Sequence, residues 1–154
     1  MRKITIFESG NNSLPSIFLS LYESLKNTTS NEKIEFDLSK IKWFYPILLL
    51  PLSAYITATK SRYINNNVQN QSYLDTINFP YGIDSTSSFQ QQIQRSKNYI
   101  PISVLKKESY AEREKLESMF STMVYSTLGN ISGTQNAIYY PITELITNIF
   151  EHSK

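Results

Sequence analysis

Residues 33–39, KIEFDLS, alternate strictly, with Ile34, Phe36 and Leu38 on one side and Glu35 and Asp37 on the other. That period of two belongs to a strand with one face covered. It follows SLPSIFLSLYESLK, where Leu14, Ile17, Phe18, Leu21, Tyr22 and Leu25 recur at helical spacing. Ser13 is placed to cap that helix, and Pro15 is tolerated in its first turn. Before it, residues 2–7, RKITIF, read as a strand. Strand, helix and strand in this order call for a crossover and a parallel pair, a βαβ unit. The front of the chain is therefore expected to be α/β, with helices packed on a small parallel or mixed sheet.

The next stretch, IKWFYPILLLPLSAYITATKSR, is the most apolar of the chain. One reading ends the strand region over Ile41–Tyr45 and runs a helix from Pro46 to Arg62, with Pro51 removing one backbone bond inside it. The other extends the strand to Leu50 and starts the helix at Pro51. YINNNVQNQS reads as a loop, and SYLDTINF as one or two helical turns before Pro80. Residues 81–106 form a connector. It holds the polar, aperiodic YGIDSTSSFQQQIQRSKN and a short strand candidate, YIPISVL, which Pro101 confines to an edge or an end.

A long helix follows over 107–128, with Leu116, Met119, Phe120, Met123, Val124 and Leu128 in one stripe and Gly129 at its end. Its run Glu112–Lys115 is a solvated face. A last helix spans 135–152. The expected organisation is thus an α/β module over 1–80, a connector over 81–106 and a helical segment over 107–154.

Bulk properties exclude several classes. A net charge of +2 over 154 residues offers no concentrated basic surface, so no nucleic-acid partner is expected. No stretch approaches the roughly 18–20 apolar residues of a membrane span. Glu8 and the polar residues around it deny the amino terminus the apolar centre of a signal peptide. With no cysteine and one histidine there is no disulfide framework, and a zinc site is not expected. A cytoplasmic location is expected. Asp37, at a strand end, is read as a cap or turn residue, and Trp43 as part of the core.

The chemistry-bearing residues lie at the end of the chain, in ELITNIFEHSK. Taking 100° per residue from Glu144, Asn148 falls at about 40° and His152 at about 80°. Ile142, Leu145, Ile146, Ile149 and Phe150 cover the arc from about 100° to 240°. The polar stripe therefore borders the apolar face, where a ligand can meet both a rigid core and polar groups. A carboxylate there can take a proton from water. An amide oxygen is a hard neutral ligand suited to Mg²⁺.

ELITNIFEHS resembles the N-box helix of the gyrase, histidine-kinase and MutL-type ATPases, the GHKL superfamily. The resemblance covers about the last 20 residues and implies that Asn148 is the ligand of the Mg²⁺ carried by ATP. It implies that Glu144 is the acidic residue one turn earlier, the general base in the hydrolases of that family, and that His152 borders the nucleotide. The Asp-x-Gly-x-Gly turn and glycine-rich lid that follow the N-box in that family have no counterpart, since Gly10, Gly82, Gly129 and Gly133 all precede it. The expectation is a truncated domain: Mg-ATP bound by the intact protein, an ATPase or a protein kinase, with no cofactor and no catalysis in this chain alone.

IEFDLSKIKWFYPILLLPLSAYI is similar to the central segment of STAS-like domains of the anti-sigma-antagonist type. The resemblance implies a regulatory module that exchanges protein partners. The stretch Phe44–Leu49 has no Ser, Asp or Gly, so no phosphoserine switch is expected at the place that family uses. The alternative is a non-catalytic interaction or dimerisation module, complete at residue 154, in which the helices over 107–128 and 135–152 form a hairpin. Either reading calls for a protein partner or self-association.

Overall fold

The computed structural model describes residues 1–8, 13–84, 101–104, 110–129 and 133–152. The chain divides into two compact units, Met1–Gly82 and Ile83–Lys154. The first runs β1 (Arg2–Thr5), α1 (Leu14–Leu25), β2 (Ile34–Asp37), α2 (Pro46–Thr59), β3 (Arg62–Ile64) and α3 (Gln71–Thr76). The three strands form one parallel sheet in the order β1-β2-β3. The α/β expectation for the front of the chain holds.

Register explains how the sheet divides its residues. Lys3, Glu35 and Arg62 are neighbours across the strands, as are Ile4, Phe36 and Tyr63. Alternation sends these two rows to opposite faces. Ile34, Phe36 and Leu38 are fully buried, and the ring of Phe36 meets Tyr55 of α2 edge-on at 5.7 Å. The helices therefore cover that face, and Ile17, Leu21, Leu48, Leu49, Leu52 and Ile56 complete its core. The other face carries a charged ladder. Arg62 meets the Glu35 carboxylate at 2.6 Å, and Lys3 meets Asp37 at 2.9 Å.

Helix boundaries follow local chemistry. Ser13 caps α1 by accepting from the Ser16 amide, as its sequence position implies. α2 begins at Pro46, which resolves the alternative of a strand reaching Leu50, and Pro51 lies inside it on the exposed side. It ends earlier than the expected Arg62. Lys60 adopts a left-handed conformation at the C-cap, and Arg62–Ile64 become β3, a strand that the polar sequence after it hides. The stripe of α1 is also narrower than its spacing implies. Ile17 and Leu21 are buried, while Leu14, Phe18 and Tyr22 are more than half exposed. Two helices on a sheet only three strands wide leave the flank of α1 uncovered.

The second unit contains β4 (Ile83–Asp84), β5 (Ser103–Val104), α4 (Tyr110–Leu128) and α5 (Thr134–His152). Residues expected in a connector thus supply two short parallel strands, β4 and β5; residues 85–100 and 105–109 lie outside the described set. Leu116 and Ile146 are buried with Ile83, and Met119, Phe120 and Ile142 pack around them. Arg113 of α4 donates to the Thr147 hydroxyl of α5, and to Glu117 Oε1 on its own helix at 3.1 Å. Gly129, at φ +70°, ends α4 in the left-handed region.

Truncating the two phenylalanines separates the two faces of this packing. Phe36→Ala is expected to lower unfolding free energy by about 3–5 kcal/mol. Phe18→Ala, on the exposed flank of α1, is expected to cost less than about 1 kcal/mol. Urea denaturation of the two variants checks this, and equal losses would contradict the packing described.

Candidate functional site

The two edges of the parallel sheet differ. At the amino edge the connections are tied down by hydrogen bonds. The Tyr55 hydroxyl donates to the Thr29 and Glu32 carbonyls, each at 3.0 Å, and Ser61 Oγ accepts from the Ile34 amide at 2.9 Å. Ser61 in turn shares a hydrogen bond with Thr59. At the carboxyl edge, where α/β sheets present their ligand sites, the described residues line two hollows.

The larger hollow, about 340 Å³, is lined by Lys3, Asp37, Ser39, Lys40, Ile64, Asn66 and Asn67. Its centre is Asp37, the last residue of β2. Asp37 Oδ1 accepts from the Ser39 amide at 3.0 Å, a turn built on its own backbone two residues on. Hydrogen bonds from the Ser39 hydroxyl and amide, with Lys3 beside them, hold the Asp37 carboxyl well below the usual range, at about 2. A group this acidic is an ion at neutral pH and a weak base, so it serves as a fixed acceptor rather than a proton carrier. The reading of Asp37 as a turn residue holds. Its ion pair with Lys3 depends on strand order and could not be read from spacing.

The smaller hollow is lined by Phe7 and Glu8 after β1, Ile17 and Ser20 of α1, Ile41, Trp43 and Tyr45 after β2, and Leu48 of α2. Trp43 is not core. The residue is 62% exposed, because it sits in the β2–α2 loop, past the last buried strand residues. That position, three residues before Pro46, was the available signal: β-to-α loops stand at the working edge of such a sheet.

On α5, Glu144 and Asn148 lie one turn apart and both are exposed. Ile146, between them in sequence, is buried on the opposite side, and Ile142 packs beside it. Tyr140, one turn before Glu144, is also exposed, at 71%. The backbone of His152 belongs to the same helix, and its side chain lies outside the described set. Glu144 and Asn148 therefore share one accessible face of one helix. Among the described residues, no group of three or more His, Cys, Asp or Glu could hold a metal ion, and no helix is long and apolar enough to cross a membrane. No protein-family model, curated protein or solved structure matches the chain.

The acidity of Asp37 gives a pH test. Because its folded pKa is depressed, the stabilisation it contributes is present above the unfolded value near 4 and is lost as pH falls toward about 2. Asp37→Asn is expected to cost about 1–2 kcal/mol at neutral pH, allowing for solvent screening at this open edge, and to flatten the acid limb of stability. Denaturation midpoints measured from neutral to acid pH check it. An unchanged acid limb in the variant would contradict this role.

Proposed function

We propose that this chain is the regulatory front portion of a GHKL-type ATP-binding protein that works by exchanging protein partners. In this reading the first unit is the STAS-like, partner-binding module, and α5 is the N-box helix. Asn148 is the Mg²⁺ ligand of bound Mg-ATP, Glu144 the acidic residue beside it, and His152 a neighbour of the nucleotide. The observation that carries the reading is the presentation of Glu144 and Asn148 on α5. Both are exposed one turn apart, while Ile142 and Ile146 hold the helix to its unit. Neither side chain is consumed by packing, as the N-box role requires. An amide oxygen is suited to Mg²⁺ because that ion takes oxygen ligands and bridges protein to phosphates. Whether a phosphoryl group passes to water or to a protein depends on what else reaches the nucleotide.

The test uses the product of the whole gene. Calorimetric titration with Mg-ATP is expected to show binding that Asn148→Ala abolishes. Glu144→Gln is expected to retain binding and, in a hydrolase, to remove turnover. Unchanged affinity in Asn148→Ala would overturn the N-box assignment.

A second reading is favoured by a separate observation. Tyr139, Tyr140 and Leu145 are exposed on α5 at 44%, 71% and 62%, an apolar presence suited to a protein contact. In this reading the α4–α5 hairpin is a non-catalytic dimerisation or partner-binding element. Leu145→Lys is then expected to shift a dimer toward monomer in sedimentation velocity. An unaltered profile would remove this reading.

A further inference from the structure

α1 turns an uncharged apolar face outward. Measured around the helix from Leu14, Phe18 falls at about 40°, Tyr22 at about 80°, Pro15 at about 100° and Leu19 at about 140°. All five are exposed, and Leu14, Phe18, Leu19 and Tyr22 by more than half. Ile17 and Leu21, at about 300° and 340°, hold the opposite side of the helix to the core. Single exposed apolar residues are ordinary on a protein surface. Here they occupy successive turns of one face with no charge between them, since Glu23 is the sole charged residue of α1. A continuous apolar face of this kind marks a contact surface.

The chemistry of the face selects its occupant. A helix that lies on a lipid surface carries several Lys or Arg beside its apolar face. α1 has none, and Lys26, at its C-cap, is ion-paired with Glu23. A second α1 fits in antiparallel fashion. With a two-fold axis near Phe18, Leu14 of each copy lies opposite Tyr22 of the other, and Phe18 meets its own counterpart and Leu19 across the axis. This apolar centre brings no like charges together. The first turn of α1 has no acidic residue. The same pairing sets Glu23 of the second copy beside that turn, where the helix dipole favours a negative charge. Area sets the strength. Each large exposed side chain offers about 100 Å². With Pro15, two copies bury about 900 Å² in all, at the lower end of specific interfaces. The pairing is therefore weak.

We infer that the outward face of α1, formed by Leu14, Pro15, Phe18, Leu19 and Tyr22, is a self-association surface that pairs with a second copy of this chain, antiparallel about a two-fold axis near Phe18. The partner-exchange reading names no surface on the first unit, and pairing through α1 supplies one. It requires neither nucleotide binding by α5 nor the α4–α5 hairpin, so its failure would leave both of those readings standing.

Sedimentation velocity of the full chain, from about 1 to about 200 µM, reads the equilibrium. A monomer–dimer transition with a Kd of about 10 µM is expected. Phe18→Lys sets two ammonium groups together near the axis and is expected to weaken the dimer at least about 100-fold, whereas Phe18→Leu weakens it only a few-fold. Because Phe18 is exposed, Phe18→Lys is expected to keep the wild-type urea midpoint at about 1 µM, where the chain is monomeric. Should that midpoint fall, Tyr22→Lys on the same face takes its place. The chain has no cysteine, so Lys26→Cys takes a single nitroxide label. Lys26 lies about 12 Å beyond Phe18 along the helix, and antiparallel pairing therefore predicts an inter-label distance of roughly 25 Å or more. A chain monomeric at every concentration, or a dimer that survives both lysine substitutions, would overturn the surface. Labels closer than about 15 Å, the spacing of two parallel helices, would overturn the antiparallel pairing.

Discussion

Everything in the first unit depends on one strand being buried on one side only. Ile34, Phe36 and Leu38 of the β2 segment are wholly inaccessible beneath the two helices. Glu35 and Asp37, on the opposite row, pair with Arg62 and Lys3 of the flanking strands. A one-residue slip of β2 would exchange these rows and place two carboxylates under α1 and α2, at a desolvation cost of several kcal/mol per ion. Register is thereby fixed for all three strands. The central position of β2 also sets where its ends open, because β2 leads into the loop that carries Trp43.

Fixed register makes the two edges of the sheet unequal. Tyr55, Thr59 and Ser61 satisfy backbone groups of the amino-edge connections, so that edge is tied by local hydrogen bonds. The carboxyl edge is built from the segments after β1, β2 and β3, and its polar groups are arranged around two hollows. One is an ionic hollow organised by Asp37, and the other an aromatic cleft with an unanswered carboxylate oxygen. The two have opposite character although both draw on the segment between β2 and α2. Asp37 is satisfied by Ser39 and Lys3, whereas Glu8 Oε1 is not satisfied at all. The first reads as a structural anchor.

Much of the fold could be read from residue patterns, for identifiable reasons. The alternation of Ile34, Phe36 and Leu38 and the cap at Ser13 are local signals, and each appears where its chemistry puts it. β3 escaped because three residues, Arg62–Ile64, are too few to show a period, and one of them is charged. The exposure of Leu14, Phe18 and Tyr22 escaped because helical spacing reports a possible apolar face, not how much of it the rest of the fold can cover. Trp43 was misplaced by the usual assumption that a large ring seeks the core. At the functional level, the proximity of Glu144 and Asn148 on one face was legible, since a single helix fixes it. The pairing of Lys3 with Asp37, and the meeting of Phe7 and Glu8 with Trp43, depend on strand order and loop placement. No local pattern carries that information.

The central claim is that the β2–α2 loop holds Trp43 open at the carboxyl edge of the sheet, outside the core. Acrylamide quenching of Trp43 in the folded, unliganded chain tests this most directly. The account predicts emission characteristic of hydrated indole and a quenching constant approaching that of the urea-unfolded chain. Blue-shifted emission protected from quencher would place the ring in the core and contradict the account.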